Sequence, residues 1–147
     1  MAIKRSKRMS LVLDMATKTE ASAASALEQA RQQVAHAQQQ LQQVADYRQG
    51  YENELNQPKK RVSVEALMND RQFLSQLVQV VQTQTNQLQQ LEKNETQCLH
   101  NWQLCYQRRR NIEGLIDKLK TEENALSDKI LQKEMDELAM VLRRNAH

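Results

Sequence analysis

The sequence predicts an all-α fold, a long antiparallel two-helix coiled-coil hairpin, and three observations support that prediction. The chain has 147 residues but only two glycines and one proline, so few chain reversals are available. Its apolar residues, 39% of the total, fall into two long series with heptad spacing. The one reversal signal lies between the two series, at Pro58. Sandwiches, barrels and alternating α/β folds need many more turns and are excluded. The whole chain, residues 1–147, is expected to form one coiled-coil domain.

The first predicted helix runs from about residue 10 to residue 56 and carries a heptad seam. About six repeats of two apolar series, three residues apart, predict a coiled-coil helix. The two series hold Leu13, Glu20, Leu27, Val34, Leu41, Arg48 and Leu55, and Ala16, Ala23, Ala30, Ala37, Val44 and Tyr51. Alanine at one seam position predicts a close approach of the two backbones, whereas Glu20 and Arg48 interrupt the seam.

The turn is predicted at about residues 57–63. Pro58 lacks the N–H group that a helix needs and disfavours helical geometry at Gln57 before it. Ser63 then fits the amino-terminal cap of the second helix. Glu65 follows in the first turn, where the helix dipole favours a negative charge. A reversal this short makes the two helices antiparallel neighbours.

The second predicted helix runs from about residue 64 to residue 143 and has the longer seam. Its two series hold Leu67, Leu74, Val81, Leu88, Glu95, Trp102, Arg109, Ile116, Glu123 and Ile130, and Asp70, Leu77, Gln84, Leu91, Cys98, Cys105, Ile112, Leu119 and Leu126. Near its end the register shifts to Leu131, Met135, Leu138 and Leu142. The helix would span about 120 Å, against about 70 Å for the first helix. Its carboxy-terminal part is therefore expected to expose an apolar stripe that binds another surface.

Charge leaves several classes of partner open. The net charge is only +3, but basic residues cluster at positions 4–8, 59–61, 108–110 and 143–144. Such clusters suit nucleic acid, acidic lipid or an acidic protein groove, and they are equally common as solvated helix charges. No stretch reaches the roughly 20 apolar residues of a membrane span, and no signal-peptide core is present. A cytosolic protein is expected.

No cofactor, metal site or catalytic group is predicted. The sequence has no phosphate-binding glycine loop, metalloprotease motif or nucleophile elbow, and its three histidines are scattered at His36, His100 and His147. Cys98 and Cys105 are about 10 Å apart along one helix, too far for a disulfide between them. A thin helix pair also offers no pocket that excludes water. The chain is therefore not expected to be an enzyme.

One aromatic group has an unusual position for a core. Tyr51 is a seam residue, but Tyr47 flanks the first seam and Phe73 flanks the second. In an antiparallel hairpin about Pro58, both tyrosines come near the level of Phe73. The group is either packing that widens the coiled coil near its turn or a hydrophobic patch for a partner protein.

In their order and spacing, these features resemble the FliJ family of the bacterial flagellar type III export apparatus. The likeness runs nearly end to end along the chain. It rests on the chain length, residues 46–51 before the turn, Gln72, Phe73 and Leu77 after it, Trp102, and residues 132–139.

The resemblance implies a fold similar to the central stalk subunit of rotary ATPases and a non-enzymatic stalk or adaptor role. The implied partners are the hexameric export ATPase FliI with its regulator FliH, the cytoplasmic part of the export-gate membrane protein FlhA, and flagellar export chaperones. Family members insert the end that bears both termini into the ATPase ring, promote ring assembly and link the ring to the gate. The implied location is cytoplasmic, at the inner face of the membrane at the flagellar base, and the protein is held there only through protein partners. No nucleic-acid partner is implied.

The resemblance also implies two binding sites. The export-gate patch carries over to Gln40, Val44, Tyr47, Tyr51, Phe73, Leu77, Val80 and Gln84. The sequence departs from the family pattern at Val44, Val80 and Gln84, and the last of these replaces a frequent histidine. The ATPase-ring site is assigned to Leu131, Met135, Leu138, Leu142, Arg143 and Arg144, with the basic residues 4–8 on the opposing helix.

Three other interpretations stay open at this point. The chain could be the equivalent stalk of a virulence type III secretion system, or a structural coiled coil that dimerises through its open seam. It could also bind nucleic acid or membrane through residues 4–8 and 108–110. That interpretation is the weakest, because acidic residues nearly balance the basic ones and no aromatic residues interleave the clusters.

Overall fold

A computed structural model describes residues 4–57 and 63–146, and within these ranges the chain forms two α-helices and no strand. Helix α1 spans Arg5–Asn56 and helix α2 spans Val64–Asn145. The predicted all-α fold of two long helices packed against each other is confirmed. α1 begins before the predicted residue 10, and most of the predicted turn, residues 58–62, lies outside the described residues.

The start of α2 follows the signal in the sequence. The Ser63 hydroxyl accepts a hydrogen bond of 3.1 Å from the N–H of Ala66, which is the geometry of an amino-terminal cap. The Ser63 carbonyl accepts a second bond of 3.2 Å from the N–H of Leu67. Glu65 lies in the first turn, where it complements the helix dipole. The predicted cap is therefore confirmed.

The chain divides into two compact units, and each unit contains a stretch of both helices. The first unit consists of α1 up to Ser22 together with α2 from Gln103 onward. The second unit is Ala23–Trp102. Each helix therefore contributes packing residues to both units.

In the first unit the helices meet along the predicted seams. Ala16 of α1 and Ile116 and Leu119 of α2 are buried, and the other seam residues up to Glu123 are half-buried. A small residue such as Ala16 lets two helix backbones approach closely. This part of the fold is accordingly thin, with no side chain enclosed on all sides among the described residues.

Two polar contacts cross the seam of the first unit. Arg109 Nε donates a hydrogen bond to Glu20 Oε2, and Arg109 also bonds Glu113 one turn along its own helix. Ser6 donates twice to Glu123, from its N–H at 3.1 Å and from its hydroxyl at 2.7 Å. Because residue 6 meets residue 123 and residue 20 meets residue 109, the helices run antiparallel here.

In the second unit the seam is tightest near its Ala23 end. Four α1 residues are buried there, namely Ala23, Leu27, Ala30 and Val34. All the other predicted seam residues of both helices in this unit are half-buried. The heptad count in the sequence thus identified the packed face of each helix in this unit.

Polar contacts also cross the seam of the second unit. Arg31 Nε lies 3.8 Å from Glu95 Oε1, and the Tyr51 hydroxyl donates a hydrogen bond of 2.7 Å to Asp70 Oδ1. The lower-numbered residue of α1 again meets the higher-numbered residue of α2. The helices of the second unit are therefore antiparallel as well.

The carboxy-terminal part of α2 is exposed along its length. Residues 124–146 are all exposed, although several of them are large and apolar. We call four of these the carboxy-terminal stripe: Leu131, Met135, Leu138 and Leu142. Its exposure agrees with the prediction that α2 extends past its intramolecular partner.

Two leucines, one in the packed seam and one in the exposed part of α2, provide a test of the packing. Leu27 is 7% exposed and Leu131 is 56% exposed. We predict that Leu27→Ala lowers the free energy of unfolding by about 2–3 kcal/mol, because it leaves a cavity in the seam. Leu131→Ala should change it by no more than about 0.5 kcal/mol, because its side chain is already hydrated. Denaturant unfolding of both variants measures the difference, and equal losses would contradict the assigned seam.

Candidate functional site

Three aromatic rings from both helices form a cluster in the second unit. The Phe73 ring lies edge-on to Tyr51, with ring centroids 5.1 Å apart, and to Tyr47, with centroids 6.5 Å apart. Such edge-to-face pairs stabilise aromatic packing. Tyr47 and Phe73 flank the seam and remain 58% and 38% exposed. The prediction that the tyrosines meet Phe73 is confirmed, and the cluster presents an apolar surface to solvent.

A hydrogen bond fixes the innermost ring of this cluster. The half-buried Tyr51 hydroxyl donates to Asp70 at 2.7 Å. The bond to the Asp70 carboxylate, with desolvation next, raises the pKa of Tyr51 to about 12. Tyr51 therefore keeps its proton and its orientation, and holds Phe73 in place from the seam side.

The other residues of the implied export-gate patch lie along the same two helices. Gln40 and Val80 are exposed, whereas Val44, Leu77 and Gln84 are half-buried. The Oε1 atom of Gln84 is buried without a hydrogen-bond partner. The eight patch residues all belong to the second unit, and among them the structure brings Tyr47, Tyr51 and Phe73 into contact.

The residues of the implied ATPase-ring site form a stripe on α2 alone. Leu131, Met135, Leu138 and Leu142 follow a spacing of four, three and four, which aligns them on one face of a helix. Their side chains are 56–62% exposed. Arg143 and Arg144 follow in the last turn, where the helix dipole favours positive charge.

The basic start of α1 meets α2 before the carboxy-terminal stripe begins. Ser6, within the basic residues 4–8, bonds Glu123 through its hydroxyl and its N–H. These two bonds hold the pKa of the Glu123 carboxyl below its usual value, and the positive charge of Lys4 acts in the same direction. The sequence placed this basic segment beside the stripe, but the contact actually made is at Glu123.

Potential metal ligands and thiols are scattered over the described residues. Within residues 4–57 and 63–146, no cluster of three or more His, Cys, Asp or Glu side chains is placed to hold a metal ion. Cys98 and Cys105 are free thiols and half-buried. Over the same ranges, neither helix has a segment long and apolar enough to cross a membrane. His147 lies outside the described residues.

Two contacts in the first unit were not predicted from the sequence. Glu20 was considered only as an interruption of the seam, yet it pairs with Arg109, a charged seam residue of the other helix. Ser6 was outside the predicted helix, yet it bonds Glu123. The available signal was the presence of opposite charges at seam positions of the two helices, which indicates a cross-seam pair.

Two long antiparallel helices place the chain among the all-α helical hairpins. The chain belongs to the FliJ family: the family described as flagellar FliJ protein matches residues 5–147, nearly the full length. Neither a curated protein nor a solved structure matches the chain. The family is a non-enzymatic component of flagellar type III protein export, so flagellar export is favoured over a virulence-system stalk.

The raised pKa of Tyr51 predicts a specific pH dependence. The folded chain holds this proton more tightly than the unfolded chain, so the stabilisation is complete below about pH 10 and is lost between about pH 10 and 12. Tyr51→Phe removes the group and should lose less stability over that interval. Unfolding of both proteins across the interval measures the difference.

An ultraviolet titration of the tyrosines provides the control. Tyr51→Phe should remove a late ionisation step, near pH 12. If the late step survives Tyr51→Phe, the bond to Asp70 is not what retains the proton.

Proposed function

We propose that this chain is a non-enzymatic stalk or adaptor that joins the export ATPase ring, formed by FliI with its regulator FliH, to the export-gate protein FlhA. The observation that carries the proposal is the exposed carboxy-terminal part of α2, residues 124–146, which bears large apolar side chains. A helix that extends beyond its intramolecular partner while remaining apolar is suited to a second partner. A role with flagellar export chaperones rests on the family alone.

The carboxy-terminal stripe has the properties expected of a helix inserted into a ring. Its four apolar side chains recur at helical spacing, so they present one continuous face. Removal of that face from water would supply most of the affinity. Arg143 and Arg144 at the end of the stripe would steer it toward acidic groups of the ring. This combination supports the ATPase contact.

The aromatic cluster has the properties expected of an anchor for the gate. Tyr47 is largely exposed and lies against Phe73, which Tyr51 supports from the seam. Large rings held rigid before binding lose little conformational entropy when a partner covers them. Tyrosine is also among the residues that dominate binding energies at protein interfaces. The cluster therefore supports a protein partner at this position.

Truncation after Glu134 tests the ATPase contact. It removes three of the four stripe residues and both terminal arginines, and we predict that it abolishes stimulation of ATP turnover and ring formation by FliI. The rest of the chain should stay folded, because every described residue removed is exposed. ATP turnover and ring assembly are measured beside helical content and melting.

Leu104→Ala is the matched control for this test, because Leu104 is an exposed leucine of α2 that lies outside residues 124–146. It should stimulate FliI as the unchanged chain does. Equal stimulation by the truncated chain would refute the ATPase assignment. If truncation instead converts a dimer into a monomer in sedimentation without affecting FliI, the stripe is a self-association surface.

Replacement of Tyr47 and Phe73 by alanine tests the gate contact. We predict that the double variant binds the cytoplasmic part of FlhA at least about tenfold more weakly, since aromatic anchors contribute more than 1 kcal/mol each. Helical content should be unchanged, because both side chains flank the seam. The measurements are a binding titration and circular dichroism.

Val78→Ala is the control, since Val78 is an exposed apolar residue of the same part of α2 outside the patch. It should bind FlhA normally. If the double variant binds as the unchanged chain does, or if it unfolds, the aromatic cluster is packing at the end of the seam instead of a binding site.

A further inference from the structure

The second unit contains a band of surface without charge. The chain has 21 Lys and Arg and 18 Asp and Glu residues, yet none lies within residues 32–45 of α1 or 72–91 of α2. Charged residues make up 27% of the chain, so about a quarter of these positions would ordinarily be charged. We call the two segments together the uncharged belt. His36 is its one residue with an ionisable side chain.

The two segments of the belt lie opposite each other. At one end, the Arg31–Glu95 ion pair joins the helices just outside both segments. At the other end, the hydrogen bond from Tyr51 to Asp70 does the same. Because the helices are antiparallel between these two contacts, the uncharged stretch of α1 faces the uncharged stretch of α2. The belt is therefore one surface of the helix pair.

One face of the belt continues the aromatic cluster. Tyr47 meets Phe73, and a step of one heptad along each helix leads to Gln40 and Val80. A second step leads to Gln33 and Gln87. All six of these residues are exposed.

The far end of this face is concave on the α2 side. A shallow depression there is lined by Asn86, Gln87, Gln90 and Leu91. Four of the eight residues of the export-gate patch already lie on the face, namely Tyr47, Phe73, Gln40 and Val80. The face therefore extends beyond the patch in the direction of Gln33 and Gln87.

The chemistry of this face defines its partner. Neutral amides are easier to remove from water than charged groups, and the centres of protein interfaces are depleted of charge. A glutamine amide both donates and accepts, so it can pair with the backbone groups of another chain. The face has no Lys or Arg, so it lacks the cations that phosphates of nucleic acid or acidic lipid require. It fits an uncharged polypeptide surface.

We propose that the export-gate docking surface is the whole of this face, from Tyr47 and Phe73 past Gln40 and Val80 to Gln33 and Gln87, and that it binds an uncharged polypeptide surface of the gate. The proposal rests on the proposed function, which it deepens in two ways. It extends the site by one heptad beyond the export-gate patch, to Gln33 and Gln87, and it makes the contact independent of electrostatic steering.

Ionic strength provides the first test. The full chain is titrated with the cytoplasmic part of FlhA between about 0.1 M and 1 M salt, where the screening length falls from about 10 Å to about 3 Å. The dissociation constant should change by less than about threefold, because no charge at the contact is screened. A loss of affinity of about tenfold or more across this interval would show a charged contact and overturn the proposal.

Substitution of Gln87 provides the second test, because either sign of charge can be introduced there. Gln87→Lys and Gln87→Glu should both weaken binding, by about tenfold, since each would bury a charge without a partner. If one variant strengthens binding while the other weakens it, the facing surface of the gate is charged and the proposal is wrong. If neither variant weakens binding, the docking surface does not reach Gln87, and the proposal is again wrong.

Asn101→Lys is the matched control. Asn101 is exposed and lies two heptads beyond Gln87 at the same heptad position of α2. It is outside the uncharged belt, on the far side of the Arg31–Glu95 ion pair. It should bind FlhA as the unchanged chain does, and a loss equal to that of Gln87→Lys would mean that net charge alone is responsible.

The Tyr47→Ala and Phe73→Ala double variant, measured in the same titration, separates the two proposals. If it binds normally, the proposed gate contact itself has failed. If it loses binding while both Gln87 variants bind normally, the gate contact stands and only the extension has failed.

Discussion

A single seam between two helices is the constraint on which the rest of this structure depends. No third element covers the helices among the described residues, so a residue is either in the seam or in water. A charged residue in such a seam is tolerated when a partner across it supplies the opposite charge, as Arg109 does for Glu20. An apolar heptad repeat alone would accept a shift of seven residues, whereas that pair would be broken by it. The polar contacts therefore select one register from several that the apolar residues allow.

The register in turn decides which part of α2 is left for partners. Once Glu20 is opposite Arg109, the first turn of α1 reaches Glu123, and α2 has no α1 residue beside it after that point. The exposed carboxy-terminal stripe is thus a consequence of unequal helix lengths and of one ion pair. The charge-free belt has a different origin, because it depends on what the sequence omits. One helix pair thereby presents two surfaces of unlike chemistry, one bordered by arginines and the other neutral.

Much of this arrangement could be predicted from local patterns in the sequence. Heptad counting located the packed face up to Glu123. The cap at Ser63 followed from its residue type alone. Tyr47 and Phe73 could be matched because only one chain reversal separates their helices. The pairing of Glu20 with Arg109 could not be derived in this way, because contacts between residues so distant in sequence depend on the register. Arg48 is the opposite case. It is also a charged seam residue, but its ion pair is with Glu52 on its own helix and not with a residue across the seam. The roles of the patch residues came from the family resemblance and not from periodicity.

The contact between Ser6 and Glu123 has a consequence for how the amino terminus behaves. The first turn of α1 contains no acidic residue and is rich in positive charge, which the helix dipole disfavours at that end. Glu123 supplies from α2 the negative charge and the hydrogen-bond acceptor that α1 lacks. We therefore expect the beginning of α1 and the last packed turn of α2 to open and close together as one local unfolding unit. Amide hydrogen exchange at the start of α1 would then report the integrity of a segment more than a hundred residues away in sequence.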